Sequence, residues 1–255
     1  MTNAEILRMA AEQSAIDCGC SADDFFTGEN RVVISRPHPG ARRYLELPFI
    51  MDLVSYGGGI VASVSPELEA IAGEYINKFP PEHCFETPNL HWLMDRLRPL
   101  GYDACFMAEY WLPDMERLTP LTCAYELREL GPKDFPPLYT EHWSNALCEK
   151  RAHLDILALG AYDGGRLVGL AGCSMDCETM WQIGIDVLPE YRRQGIAAAL
   201  VSGLARMILD RGKVPFYCCA WSNLPSARCA IKSGFRPAWV ELTAKSREYI
   251  DDMNK

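Results

Sequence analysis

The stretch Tyr191-Arg192-Arg193-Gln194-Gly195-Ile196-Ala197-Ala198-Ala199-Leu200 holds the residues whose types and spacing best suit chemistry. It follows an apolar run, Trp181 to Val187, and opens a run of helix formers. A basic, glycine-bearing turn therefore stands between a strand and a helix start. Helix starts leave backbone N–H groups without partners, and the aligned peptide dipoles add partial positive charge there. Such a turn can cradle a pyrophosphate. Gly195 lets the backbone approach an anion where a Cβ would intrude. Ala197 keeps the next contact tight, and Arg192 and Arg193 offer charge-assisted hydrogen bonds. Taken alone, the segment reads equally well as a helix N-terminus with a solvated basic patch.

The elements around this turn are legible from periodicity. Residues 3–16 space Ile6, Leu7, Ala10, Ala11, Ala15 and Ile16 as a helix. Strands are expected at 31–35 and 60–64, with an extended segment at 44–56 broken by Gly57-Gly58-Gly59. Ser65-Pro66-Glu67 reads as a capped helix start, with the helix running to Lys78. A second helix over 89–100 ends at Gly101, and a strand over 102–111 follows. The polar, proline-bracketed segment Leu112 to Pro120 places a domain boundary, giving an accessory α/β domain at 1–118 and a second domain at 119–255.

The second domain is expected to run strand (122–127), helix (135–150), hairpin (156–162 and 166–174), strand (180–187), helix (195–211), strand (214–220), short helix (225–232) and last strand (236–242). Asp163-Gly164-Gly165 is the hairpin's turn signal.

Bulk properties narrow the function. The chain has 255 residues, 49% of them hydrophobic and 23% charged, enough for two domains. A formal net charge of −9 argues against a general nucleic-acid binder and leans faintly toward a cationic acceptor. The N-terminal residues lack the basic and apolar regions of a signal peptide, and the 11 cysteines read as reduced thiols in a cytoplasmic protein. Cys18-Gly19-Cys20 and Cys173 to Cys177 lack the paired spacing of a zinc site, so no metal is expected. The apolar runs are too short to span a bilayer, so no membrane partner is expected either. No G-x-x-x-x-G-K-[ST] motif is present, which disfavours a nucleoside-triphosphate binder.

The C-terminal order, with its residues, resembles the GCN5-related N-acetyltransferase (GNAT) superfamily over roughly residues 121–245. Arg192 to Ala197 is similar to that family's Q/R-x-x-G-x-G/A pyrophosphate motif. Val187-Leu188-Pro189 looks like the turn before it. Asn223-Leu224-Pro225-Ser226 and Lys232-Ser233-Gly234-Phe235 look like the family's next helix and its terminal Gly-Phe. The resemblance implies an α/β (α+β) fold with a mixed, splayed central sheet and acetyl-CoA as acyl donor, CoA being the product. It also implies transfer to a primary amine of a small molecule or peptide by direct attack in a ternary complex. The cofactor set it implies is Ile185, Asp186, Val187, Arg192, Arg193, Gln194, Gly195, Ile196, Ala197, Asn223 and Ser226. A strand edge suits the amides of the pantetheine arm, which can pair with it as a mock strand.

The proton carriers implied by the resemblance are less distinct. The position of the family's usual tyrosine is Ala230 here, leaving Tyr217, Cys229 or water as acid. Asp186, Glu178 and Glu141 are the base candidates, with His142 beside the last. Trp143, Trp181 and Trp221 are candidate walls of the acceptor pocket. The N-terminal half lacks the phosphate motif. It is expected to be a degenerate half-copy of the fold that shapes the acceptor site or a homodimer contact. The competing reading is a sensor that binds acyl-CoA without turnover.

Overall fold

In the computed structural model, which describes all 255 residues, the chain forms two compact units. One comprises Met1–Met9 with Trp111–Pro237, the other Ala10–Tyr110 with Ala238–Lys255. This differs from a linear division at residue 118. The last strand, although late in sequence, pairs antiparallel with an early one, so residues 238–255 belong with the N-terminal segment.

The second of these units takes in most of helix α1 (Asn3–Cys18), then β1 (Arg31–Ile34), β2 (Met51–Ser55), β3 (Val61–Val64), α2 (Glu69–Lys78), α3 (Thr87–Leu97), most of β4 (Tyr102–Pro113) and, from the end of the chain, most of β10 (Phe235–Ser246) with α6 (Arg247–Met253). Its strand order is β1-β3-β2-β10-β4, with β1 parallel to β3 and β2 antiparallel to both β3 and β10. Leu53, Ile60, Leu68, Tyr75, Ile76, Leu93, Leu97 and Leu242 form its core. A buried ionic group also lies within it. Arg42 Nη1 meets Asp17 Oδ2 at 2.6 Å, with Asp52 and Glu241 buried nearby. Gly101 ends the α3 segment with φ 85°. The expected cap at Ser65 does not form: its hydroxyl makes no hydrogen bond, and a 3-10 turn at Pro66–Leu68 precedes α2. Only residues 51–55 of the expected extended segment 44–56 are strand. Helix α6 had no counterpart in the sequence reading.

The other unit is built on β5 (Glu126–Leu130), β6 (Asp155–Asp163), β7 (Arg166–Ser174), β8 (Met180–Val187), α4 (Ile196–Asp210), β9 (Val214–Ala220) and α5 (Leu224–Lys232). Strand order is β9-β8-β7-β6-β5, antiparallel except for the parallel β8–β9 pair. The hairpin β6–β7 turns where expected, with Gly164 at φ 59°. Leu157, Leu159, Ala171, Ile183, Leu200, Leu204 and Ile208 bury α4 against one face of the sheet. Phe135, Trp143, Ala146, Leu147, Ala158 and Leu170 form a smaller cluster.

The helix expected at 135–150 is absent. Three 3-10 segments, Pro136–Leu138, Glu141–Trp143 and Glu149–Leu154, take its place. Pro136-Pro137 removes two backbone donors that a continuous helix would need. The strand expected at 122–127 lies at 126–130, set by its pairing with Gly160 and its neighbours on β6.

Candidate active site

The site begins where two strands part. β8 pairs with β7 along its outer length, from Ser174↔Gln182 to Gly169↔Val187. On its other side it pairs with β9 only from Met180↔Val214 to Gln182↔Phe216. Beyond Gln182 the strands splay, and residues 183–187 lose their β9 partners. Backbone groups on such an edge need partners, and an extended chain of amides can supply them.

The edge ends at the basic turn. Arg192 Nε donates to the Val187 carbonyl at 3.1 Å, tying the turn to the strand end. Two residues then take left-handed backbone conformations, Arg193 at φ 62° and Gly195 at φ 84°. Arg193 is the one non-glycine residue of the chain in that region. A left-handed non-glycine residue costs about 1–2 kcal/mol, and such strain clusters at ligand clamps. Gly195 is the N-cap of α4 and offers no side-chain cap. The first intrahelical bond runs from Ala199 N to Gly195 O, so the N–H groups of Ile196, Ala197 and Ala198 have no helical acceptor. A Cβ placed on Gly195 would meet no protein atom within 4 Å. The turn therefore faces open space.

That space is a cavity of about 340 Å³ lined by Val187, Tyr191, Arg192, Arg193 and residues 195–198 on one side, and by Pro225, Arg228, Cys229 and Lys232 of α5 on the other. Four of the lining residues are cations and none is acidic. In a chain of net charge −9 this concentrates positive charge at a wall of unpaired N–H donors. The residues fit a CoA-like donor: a pyrophosphate at the turn, a 3′-phosphate or ribose near Arg228 and Lys232, and a pantetheine arm along the splayed edge.

The cofactor residues expected from sequence divide into two groups. Val187, Arg192, Arg193, Gly195, Ile196 and Ala197 line the cavity, and Ile185 and Asp186 lie on the splayed edge. Three others serve the scaffold. The Gln194 amide oxygen accepts the Tyr125 hydroxyl at 2.5 Å, outside the cavity lining. Asn223 caps α5, its Oδ1 accepting Ser226 N–H at 3.2 Å. The Ser226 hydroxyl pairs with the Tyr217 hydroxyl at 2.6 Å. Sequence reasoning did not place Pro225, Arg228 and Lys232 in the cofactor set, and named Cys229 only as a candidate acid, although the signal was present. These four recur at i, i+3, i+4 and i+7, one face of a helix.

The candidate proton carriers are dispersed. Asp186 accepts three hydrogen bonds, from Asn145 N at 2.9 Å, Asn145 Nδ2 at 2.7 Å and Ala146 N at 2.9 Å. Its carboxylate clamps the loop 144–148 to the sheet. Glu178 is exposed two residues before β8, and the length of that strand, roughly 23 Å at 3.3 Å per residue, lies between it and the cradle end. Glu141 is exposed on a 3-10 turn. Tyr217 is buried, and burial raises its pKa well above that of a free phenol. Burial likewise pushes the Cys229 thiol up, while Ala230 beside it is fully buried. Trp143 and Trp181 are core residues, and Trp221 is exposed.

No group of three or more His, Cys, Asp or Glu side chains could hold a metal, and all the cysteines are free thiols. No helix is long and apolar enough to cross a membrane.

Residues 124–235 match the model of the acetyltransferase (GNAT) family. This part of the chain is a GNAT acetyltransferase domain, and its mixed, splayed sheet is the fold of that class. No curated protein matches the sequence. Among solved structures, a GNAT-family protein from Novosphingobium aromaticivorans is 22% identical, with 56% of this chain and 66% of that one covered and a TM-score of 0.42. The chain thus spans just under two thirds of that relative. A GNAT-family acetyltransferase from Colwellia psychrerythraea is 16% identical, with 72% and 76% covered and a TM-score of 0.46. An aminoglycoside N-acetyltransferase in complex with CoA is 20% identical, with 48% and 93% covered and a TM-score of 0.36.

Proposed function

We propose that the protein transfers the acetyl group of acetyl-CoA to a primary amine by direct attack within a ternary complex. The observation that carries this reading is the splay of β8 from β9 leading into a cavity walled by unpaired helix N–H groups and four cations. The pyrophosphate accepts hydrogen bonds from the turn around Arg193 and Gly195. The pantetheine amides pair with the freed edge of β8. A backbone N–H of that edge stabilises negative charge on the thioester oxygen during attack. A thiol of roughly cysteine-like acidity, near 8.5, leaves readily without a strong acid. The buried, firmly protonated Tyr217 therefore has no necessary role in departure.

The test combines binding with turnover. Acetyl-CoA should raise the melting temperature, because a ligand that binds only the folded state stabilises it by mass action. Free thiol should then appear when an amine acceptor is added. Absence of the melting shift would sink the donor assignment. A shift without thiol release across polyamines, amino acids, aminoglycosides and peptide N-termini would instead make the protein an acyl-CoA sensor.

A further inference from the structure

The two faces of the parting between β8 and β9 differ. On one, Trp181 and Ile183 of β8 and Tyr217 and Cys219 of β9 pack with Leu200, Leu204 and Ile208 of α4, each less than a tenth exposed. That face is closed where the strands part. Cross-strand partners share a face, so Gln182 and its partner Phe216 stand on the opposite one, with Gly184 and Cys218 two residues further along each strand. Space remains there: Gln182 and Gly184 border a cavity of about 140 Å³ beneath the loop 144–148. An acceptor reaches the parting from this open face.

The donor's length fixes where its reactive end falls. A pantetheine arm has about twelve chain bonds between its phosphate oxygen and its sulfur, as many as four residues, and extends over roughly 13–14 Å. The free edge of β8, from Val187 beside the basic turn back to Ile183, also advances four residues, roughly 13 Å. A sulfur at the end of such an arm comes level with Ile183, the first residue beyond the β9 pairing. The acyl carbon, one bond further, comes beside Gln182.

One side chain spans the parting on the open face. Gln182 Nε2 donates to Cys218 Sγ at 2.9 Å, which carries the carboxamide from β8 across to β9. This is the one hydrogen bond of that side chain, so Oε1 stays open as an acceptor on a half-buried residue. Its neighbours on the face are otherwise engaged or apolar. Asp186 is held by three donors of the loop, the Ser174 hydroxyl donates to Asp176, and Phe216 has no polar group.

We propose that Gln182 orients the acceptor. Its Oε1 accepts an N–H of the neutral amine and so turns the nitrogen lone pair toward the acyl carbon. Cys218 is the positioning residue that holds the carboxamide across the parting. The inference rests on the acetyl-transfer reading. Gln182 itself takes no proton. The lone pair forms the C–N bond, the C–S bond breaks with its electron pair on sulfur, and the surplus nitrogen proton passes to that sulfur, leaving an amide and a thiol.

The test compares Gln182→Ala with Gln182→Glu, using an amine of the panel above that releases thiol with native protein. CoA affinity by calorimetry should stay within about twofold of native in both, because the arm pairs with backbone. In Gln182→Ala, kcat/KM for the amine should fall at least ~10-fold, since a hydrogen bond and an orientation are lost together. The Kd of the same amine for CoA-loaded protein, from NMR titration, should rise about three- to tenfold. Gln182→Glu keeps an acceptor oxygen and should retain kcat/KM within about threefold of native. Cys218→Ala leaves Oε1 in place but unanchored, and should lower kcat/KM for the amine about three- to tenfold while KM for acetyl-CoA holds. Native turnover and amine Kd in Gln182→Ala overturn the assignment, as does a Gln182→Glu variant no better than Gln182→Ala. Loss of CoA affinity in Gln182→Ala would make the side chain part of donor binding and also overturn it. If neither Gln182 variant folds, Cys218→Ala decides, and an unchanged kcat/KM overturns the proposal. Native protein that binds CoA yet releases thiol with no amine overturns the transfer reading itself, and this proposal with it.

Discussion

Replacing Gly195 by alanine separates what the cradle does for the fold from what it does for a ligand. Gly195 sits at φ 84°, where an L-residue is disfavoured by about 1 kcal/mol or slightly more relative to glycine. Because the new Cβ would find no protein atom within 4 Å, this backbone term is the whole expected effect on folding. It corresponds to a melting-temperature drop of roughly 2–4 °C. A control lies at the other end of the same helix. Gly212 follows α4 at φ 73° and also has nothing within 4 Å of a built Cβ. Gly212→Ala should lose about the same stability.

The two variants should part on CoA. At Gly195 the methyl group enters the cavity and holds a phosphate off the N–H groups of residues 196–198. A hydrogen bond to a charged group contributes about 1.5–3 kcal/mol, so losing one weakens binding by roughly 10- to 100-fold. Gly212→Ala should bind CoA as the native protein does. Calorimetric titration with CoA, paired with melting curves, measures both effects. CoA affinity in Gly195→Ala within threefold of the control would refute the cradle.

Other expectations follow from the same geometry. Arg228→Gln and Lys232→Gln alter exposed side chains of the cavity, so each should leave melting nearly unchanged, weaken CoA binding about three- to tenfold, and reduce its salt dependence in calorimetric titrations at graded ionic strength. Asp186→Ala removes the acceptor of three hydrogen bonds and should destabilise the GNAT domain by about 2–3 kcal/mol in denaturant titrations, with faster hydrogen exchange over 144–148; unchanged exchange there would contradict the clamp. Asp52 has its proton affinity raised by burial and by Glu241 and Asp17, so its contribution to stability is full below the ordinary aspartate range and is lost as pH rises through the raised value. Its Oδ1 also has no hydrogen-bond partner. Asp52→Asn should therefore raise the melting temperature at pH 7.5 and leave it nearly unchanged at pH 4; a loss at pH 7.5 would show that the ionised carboxylate supports the fold.

What could be read from the chain was local. The spacing of Ile6 to Ile16, the Asp163-Gly164 turn and the Pro225 to Lys232 stripe each depend on residues within a few positions of one another. The misread helix at 135–150 marks the limit of such reading. Its apolar residues suit a helix, but Pro136-Pro137 and the grip of Asp186 on Asn145 and Ala146 hold it in short turns. Asp186 itself was read as a base because it is the one carboxylate of its strand. Its three N–H donors lie about forty residues earlier in the chain, beyond the reach of any local pattern.

The sequence by itself determined the cradle: a strand end, two arginines, and a glycine at a helix start define an anion site through backbone conformation and orphaned N–H groups, all within ten residues. Tertiary structure decided where that site leads. The parting of β8 from β9 after Gln182 opens the edge that a donor's arm can occupy. The loop 144–148 packs on Gly172 and Gly184, where a Cβ would meet the carbonyl oxygens of Ala146 and Asn145. Both are relations between segments far apart in the chain, fixed by pairing and close packing rather than by local preference.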